Sequence, residues 1–296
     1  MIKAGDAVRL VYAQLMRDGV IQKVRLSANP IEQAPPEVFI DSTRDEDSPH
    51  HSPDGQRVIL MSDRSGLWQV WICDMQGASC MLVPGLAGEL GRPKWSPDGQ
   101  WILYESNMEG GWELFVTRPE GGQPRRLTRH KGTPRPMVGS SWSRDSKWVY
   151  FFPPGPGGGD IWKTSLGGGE PVKVTQGGGF IAQESWDGRS IYYIKDATGP
   201  LLRMPAAGGP EEQVLPSVYA LSFIPDREEI WFVPYEPGRS NPSVRFYAFK
   251  DRKVSTRSAP LGRVYGDLTL SPDGRYALYT HTRRDGSDLM LVENFR

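Results

Sequence analysis

A recurring tetrapeptide constrains this chain more than any other feature. Ser-Pro-Asp-Gly occurs at residues 52–55, 96–99 and 271–274. Degraded copies stand at Ser143-Arg144-Asp145-Ser146, Ser185-Trp186-Asp187-Gly188 and Ile224-Pro225-Asp226-Arg227. The aspartates, at 54, 98, 145, 187, 226 and 273, lie 44, 47, 42, 39 and 47 residues apart. Turn chemistry that returns about every 40–45 residues is the signature of a β-propeller. Pro presets φ at the first corner, and Asp bonds the backbone two residues on. Gly then accepts positive φ without a Cβ clash.

An apolar run of four or five residues follows each turn, at 58–61, 101–104, 148–152, 191–194, 230–233 and 276–279. Such runs suit strands covered on both faces by neighbouring sheets. A second run follows at 69–73, 113–116, 161–164, 201–204, 244–249 and 289–292, and a third, more polar run closes most repeats. Each repeat therefore reads as a four-stranded antiparallel blade, with strands a, b, c and d from the axis outwards. Rising polarity along the repeat fits a last strand at the rim. High Gly (34), Pro (26) and Trp (10) contents favour many short strands over helices.

The ends set the blade count. Residues 10–13, 21–26 and 38–40 read as strands b, c and d, and the last repeat supplies a, b and c. Two end pieces that both hold b and c do not merge. The expected fold is therefore a single all-β propeller domain of seven blade units, at about 8–40, 48–83, 93–128, 138–175, 180–215, 219–256 and 265–296. The first and last units are incomplete, as if the chain were the C-terminal part of a longer parent. Six blades, with residues 8–40 packed outside the ring, is the alternative.

The repeat resembles the WD40-like β-propeller repeat of the TolB family. The fullest match runs from Pro93-Lys94-Trp95-Ser96-Pro97-Asp98-Gly99-Gln100-Trp101 through Trp112-Glu113-Leu114-Phe115-Val116 to Gly121-Gly122-Gln123-Pro124-Arg125-Arg126-Leu127-Thr128. The last ten residues, 287–296, resemble the C-terminus of one bacterial subgroup. There the propeller follows a CadC-type winged-helix domain or a kinase domain, usually beyond a membrane helix. The resemblance implies a sensory or interaction domain on the periplasmic side of such a parent. Without a signal peptide, the chain expressed alone is expected in the cytoplasm. Trp186 in place of Pro and Arg227 in place of Gly depart from the pattern.

Little in the sequence points to catalysis. There is no Gly-x-Ser-x-Gly, the nearest being Gly139-Ser140-Ser141-Trp142-Ser143, and no phosphate-binding loop. The glycine-rich run 155–159 reads as a b–c loop. The four histidines, His50, His51, His130 and His281, show no zinc-binding spacing. Residues 41–47 carry four carboxylates but lack the EF-hand pattern, so a solvated d–a loop is favoured over calcium. Cys73 and Cys80 are expected as free, half-buried thiols flanking a hairpin turn. Trp95 and Trp142, like Trp101 and Trp148, recur at equivalent positions, which signals blade packing. No cofactor is expected.

Two functional classes remain. The first is a non-enzymatic platform for a protein, peptide or small ligand, built on the d–a and b–c loops. Its candidate residues are Arg44, Asp45, Asp47, Arg64, His130, Lys131, Arg135, Arg239, Arg283 and Arg284. The second is an enzyme, either the regulatory propeller of a prolyl-oligopeptidase-type hydrolase or a propeller with a site over its channel. His50, Lys94, Glu184 and Asp267, one on each of four inner strands, are the candidates for the latter. The platform is the preferred reading. A balance of 35 basic and 35 acidic residues disfavours nucleic acid as a partner. No apolar run is long enough to span a membrane. A protein or peptide partner and a monomeric state are expected.

Overall fold

The computed structural model describes residues 2–4, 7–129, 139–153, 159–238 and 240–293. Six antiparallel sheets are arranged around a central channel. Blade 1 runs from its inner strand Glu46–His51 through Arg57–Ser62 and Gln69–Asp74 to Cys80–Leu82. Blades 2 to 5 repeat this order, with inner strands Leu90–Trp95, Ser141–Trp142, Ile181–Glu184 and Phe223–Pro225. The one helical element among the described residues is a 3-10 turn, Pro30–Glu32. None of the described helices is long and apolar enough to cross a membrane.

Blade 6 corrects the expected count. It takes its inner two strands, Val264–Leu270 and Tyr276–Glu293, from the end of the chain. Its third and outer strands, Ala7–Arg25 and Glu37–Ile40, come from the beginning. There are thus six blades, and residues 19–25 and 37–40 lie within the ring. The seven-blade reading split two continuous strands. Residues 10–13 prolong the same strand as 21–25, and 289–292 prolong the same strand as 276–279. The two strands pair with each other from Arg9↔Glu293 to Arg25↔Tyr276, with one bulge at Asp18/Gly19. Asp-Gly at 18–19 and at 285–286 mimics a hairpin turn, but both dipeptides lie within this ladder. Sequence-distant pairing leaves no local pattern to read.

The buried core divides into one apolar cluster per blade seam. Ile59, Ile72, Trp95, Tyr104 and Phe115 join blades 1 and 2. At the closing seam, Ile21 and Leu278 of blade 6 pack on Val58, Leu60 and Cys73 of blade 1. A single blade buries neither of its faces, so each sheet is stabilised by its neighbours. Trp95 and Trp142 are buried in this packing. Cys73 and Cys80, expected as free thiols, are joined in a disulfide. The register places them directly opposite across the blade 1 hairpin, which brings the sulfurs together.

Candidate functional site

The repeated tetrapeptide shapes one mouth of the channel. In five blades the Ser hydroxyl (52, 96, 143, 185, 271) donates to the Asp carboxylate two residues on, at 2.5–2.7 Å. The same carboxylate accepts the N–H two residues further, at 3.0–3.1 Å. The Ser oxygen also accepts the N–H that opens strand b, at 2.9–3.2 Å. The hydroxyl bonds hold Asp54, Asp187 and Asp273 below the usual carboxylate range. Blade 5 has Ile224 where the others have Ser. Its turn closes after four residues, by Asp226 N–H to Glu229 O at 2.8 Å, and among the described residues the Asp226 side chain accepts only from Arg227 N–H.

Around the mouth, the second turn position reads Pro53, Pro97, Arg144, Trp186, Pro225 and Pro272 in blade order. Turns of blades 6, 1, 2 and 3 touch their neighbours. Gly55 packs beside Pro272 and Gly99 beside Pro53, and Asp98 N–H donates to Ser146 Oγ at 3.1 Å. The other side is built from longer side chains. The guanidinium carbons of Arg144 and Arg227 lie 4.8 and 4.5 Å from the Trp186 ring centre. Arg144 N–H donates to Glu184 Oε2, and its Nη2 donates to Pro225 O, both at 2.7 Å. Trp186 itself is 45% exposed.

Behind this mouth lies a cavity of about 970 Å3, walled by inner strands and a–b turns. His50, Lys94 and Asp267, residues from three different repeats, meet on its wall. Asp267 accepts from Arg92 Nη1 at 2.7 Å and faces Lys94 Nζ at 3.8 Å. Burial pushes the Asp267 carboxyl up, but Arg92 and Lys94 outweigh it and hold it below its ordinary value. Burial drives His50 down to about 3, with help from Lys94, and His51 down to about 4. Glu105, on strand Ile102–Ser106, is fully buried beside these cations. Neither of its carboxylate oxygens has a hydrogen-bond partner among the described residues. Burial raises it to about 8 against the pull of Arg92 and Lys94. The inner strands of blades 6, 1 and 2 each carry a bulge, at 264/268, 47/50 and 91/94. Bulges re-aim side chains, and these bring Arg92 within reach of Asp267.

Three of the four inner-strand candidates thus come together. The fourth, Glu184, lies with the opposite blades, where it accepts from Arg144 N–H and Tyr150 Oη–H. Arg92 and Glu105 escaped notice in the sequence. A carboxylate directly after the apolar run 101–104, on the same strand, was the available signal.

The loop-face candidates Arg44, Asp45, Asp47, Arg64 and Arg283 do not line this cavity. Arg64 pairs with the buried Glu46 at 2.7 Å and lies over Trp71. Arg283 forms a two-pronged pair with Asp41, at 3.0 and 2.6 Å. Asp45 accepts from Gly19 N–H, and Asp47 from Ser48 N–H and Thr280 Oγ1–H. Arg44 N–H bonds Ser42 Oγ. Asp41, Asp45 and Asp47 tie strands of the closing blade to the segment that enters blade 1, and these carboxylates diverge to separate partners. Among the described residues, no group of three or more His, Cys, Asp or Glu is placed to hold a metal. Arg284 pairs in register with Asp18. His130, Lys131, Arg135 and Arg239 lie outside the described residues, as does most of the glycine-rich run 155–159.

The TolB β-propeller domain family (PD40) matches residues 8–220. No curated protein matches the sequence. A solved structure assigned as TolB from Agrobacterium tumefaciens superposes with a TM-score of 0.72 at 21% identity, covering 91% of this chain and 99% of the other. TolB from Acinetobacter baumannii gives 0.63 at 19% identity, over 83% of this chain and 65% of the other. A puromycin-hydrolysing peptidase from Mycobacterium tuberculosis gives 0.58 at 14% identity, over 75% of this chain and 38% of the other. At such identities the likeness is one of fold.

Proposed function

This chain belongs to the TolB β-propeller family, and we propose on that footing that it is a non-enzymatic binding platform. Its partner is a protein or peptide that engages the channel mouth framed by the a–b turns. The observation that carries this reading is the rim itself. An exposed Trp186 with two guanidiniums against it borders a large open cavity. Exposed aromatic and Arg side chains at a concave surface are typical anchors of protein recognition. Behind the mouth, Asp267 is held between Arg92 and Lys94 rather than facing an open point.

The platform is further proposed to be a monomer serving as the sensory or interaction end of a bacterial signalling or transcription-regulatory protein. The CadC-type resemblance of residues 287–296 supports this role. The Cys73–Cys80 disulfide suits the oxidising periplasm. A regulatory propeller within a longer hydrolase is the second reading. It is favoured by the peptidase, of which this chain spans 38%.

Site-specific photo-cross-linking in bacterial cells tests the platform. A benzophenone amino acid at Pro97, on the mouth, is expected to trap a discrete partner, and one at Arg44, on the opposite loop face, is not. Trapping only from Arg44 moves the site to the loop face. Trapping from neither position overturns the platform reading.

A further inference from the structure

A second cavity of about 380 Å3 lies between blades 4 and 5 and shares Trp186, Asp226 and Arg227 with the channel cavity. The two cavities adjoin at these three residues, and together we read them as one track from the axis outwards. Its outer part has an aromatic wall. Tyr192 stacks on Phe249 with ring centres 6.2 Å apart, and Tyr247 meets Phe249 edge-on at 6.1 Å. The groove follows from the sequence of the fifth repeat. Turns of the full pattern close by a bond from Ser52 N–H to Arg57 O or its equivalent, whereas that of blade 5 closes from Asp226 to Glu229. The shorter turn leaves the flank of blade 4 uncovered.

The inner part of the track carries unspent charge. Arg144 and Arg227 share one indole ring, yet among the described residues neither has a carboxylate within ion-pair distance. Asp226 and Glu184 act on Arg144 only through space. Both Glu184 oxygens are already engaged, by Arg144 N–H and by the Tyr150 hydroxyl. Arg203, across the same groove, is paired with Glu212. Two guanidiniums 4.8 and 4.5 Å from one ring centre concentrate positive charge there, and a carboxylate that reaches them gains charge-assisted hydrogen bonds.

We propose that this track binds an extended peptide in which an aromatic side chain is followed or preceded by a single carboxylate side chain. The aromatic residue fills the groove between blades 4 and 5, and the carboxylate meets Arg144 and Arg227. Asp187, Asp226 and Glu212 line the same groove. They disfavour a polyanion, whose closely spaced charges have to pass them, and favour an isolated acid flanked by apolar residues. This inference rests on the binding-platform reading and supplies the chemistry of its ligand.

Fluorescence polarisation with labelled Gly-Ser dodecapeptides is the test. The probes carry a central Phe-Glu or Glu-Phe, with Phe-Gln and Ala-Glu as controls. At least one Phe/Glu probe is expected to bind roughly tenfold or more tightly than both controls. Arg227→Gln and Arg144→Gln each reduce its affinity to that of the Phe-Gln probe, and Arg44→Gln does not change it. Cross-linking from Pro97 together with equal binding of Phe-Glu and Phe-Gln overturns this inference and leaves the platform standing. No binding of either Phe/Glu probe also overturns it. Preferential capture of heparin through the same two arginines overturns it in favour of a polyanion site.

Discussion

The two halves of the ring differ in where they keep their charge. Blades 6, 1 and 2 carry the full Ser-Pro-Asp-Gly turns, whose prolines and glycines give the mouth a smooth rim. Their charge is buried, in the Arg92–Asp267–Lys94 cluster with Glu105 and His50 beside it. Blades 3, 4 and 5 have the degraded turns and, among the described residues, no bulge in their inner strands. Their charge is at the rim, on Arg144 and Arg227 around an exposed Trp186. The repeat pattern stabilises one half, and departures from it equip the other. Where all six turns need only to fold, drift towards Arg and Trp brings nothing, so a cluster of departures around one opening points to recognition.

The largest expected effect breaks the buried half. Asp267→Ala leaves Arg92 and Lys94 facing each other without their carboxylate. Loss of one partner from a buried ion pair costs about 3 kcal/mol or more. Thermal unfolding is expected to show a drop of several degrees, while Arg227→Gln on the rim changes stability by no more than about 0.5 kcal/mol. Equal effects from the two variants erase the distinction between the halves.

A pH series sharpens the same contrast. Glu105 stands near 8 in the folded protein against 4.5 when free. The folded state therefore keeps a proton that the unfolded chain has released, and stability falls as pH rises between those values. His50 and His51, at about 3 and about 4, favour folding as pH rises, but only up to 6.5. Lys94, also lowered by burial, works against Glu105 as pH climbs towards 10.5. The difference between wild type and Glu105→Gln isolates the carboxyl. Between pH 6.5 and 8, the unfolding free energy of the wild type, from denaturant titrations, is expected to fall by about 1–2 kcal/mol relative to the variant. Parallel curves mean that Glu105 is ionised throughout.

Turn chemistry comes next. Asp98 accepts from Ser96 Oγ and from Gln100 N–H, whereas Asp226, among the described residues, accepts only from Arg227 N–H. Asp98→Ala is expected to destabilise by about 0.5–2 kcal/mol, as for other local side-chain-to-backbone bonds. Asp226→Ala costs less than half as much. An unchanged melting temperature for Asp98→Ala removes the turn role.

The fold was legible where its causes are local. Turn residues at a fixed period announced the a–b hairpins, and the apolar runs after them announced strand b. Closure was not legible, because strands 7–25 and 276–293 find each other across the whole chain, and their polar, glycine-containing middles look like turns. The Cys73–Cys80 bond depended on register, which spacing alone left open. At the site, His50, Lys94 and Asp267 stood out as inner-strand residues, but their meeting depends on bulges that carry no sequence mark. Trp186 and Arg227 were visible as departures from the repeat. Their importance emerges only when adjacent blades bring them together with Arg144.

The smallest expected effect is a reciprocal exchange at the second turn position. Blade 4 keeps the full hydrogen-bond set around Trp186, with Ser185 to Asp187 at 2.7 Å and Ser190 N–H to Ser185 Oγ at 2.9 Å. Pro at this position suits the same turn in blades 1, 2 and 6. Trp186→Pro gains about 0.4–1 kcal/mol by restricting the unfolded chain. It loses the ring that holds Arg144 and Arg227, worth about 0.5–1 kcal/mol for each exposed contact. The terms largely offset, so stability is expected to stay within about 1 kcal/mol while Phe-Glu peptide binding is lost. In the other half, Pro53→Trp surrenders the rigid corner and crowds Gly99. It costs about 1 kcal/mol and creates no binding. A Trp186→Pro variant that unfolds like a core mutant makes Trp186 a packing residue, and the two halves of the mouth then differ only in sequence.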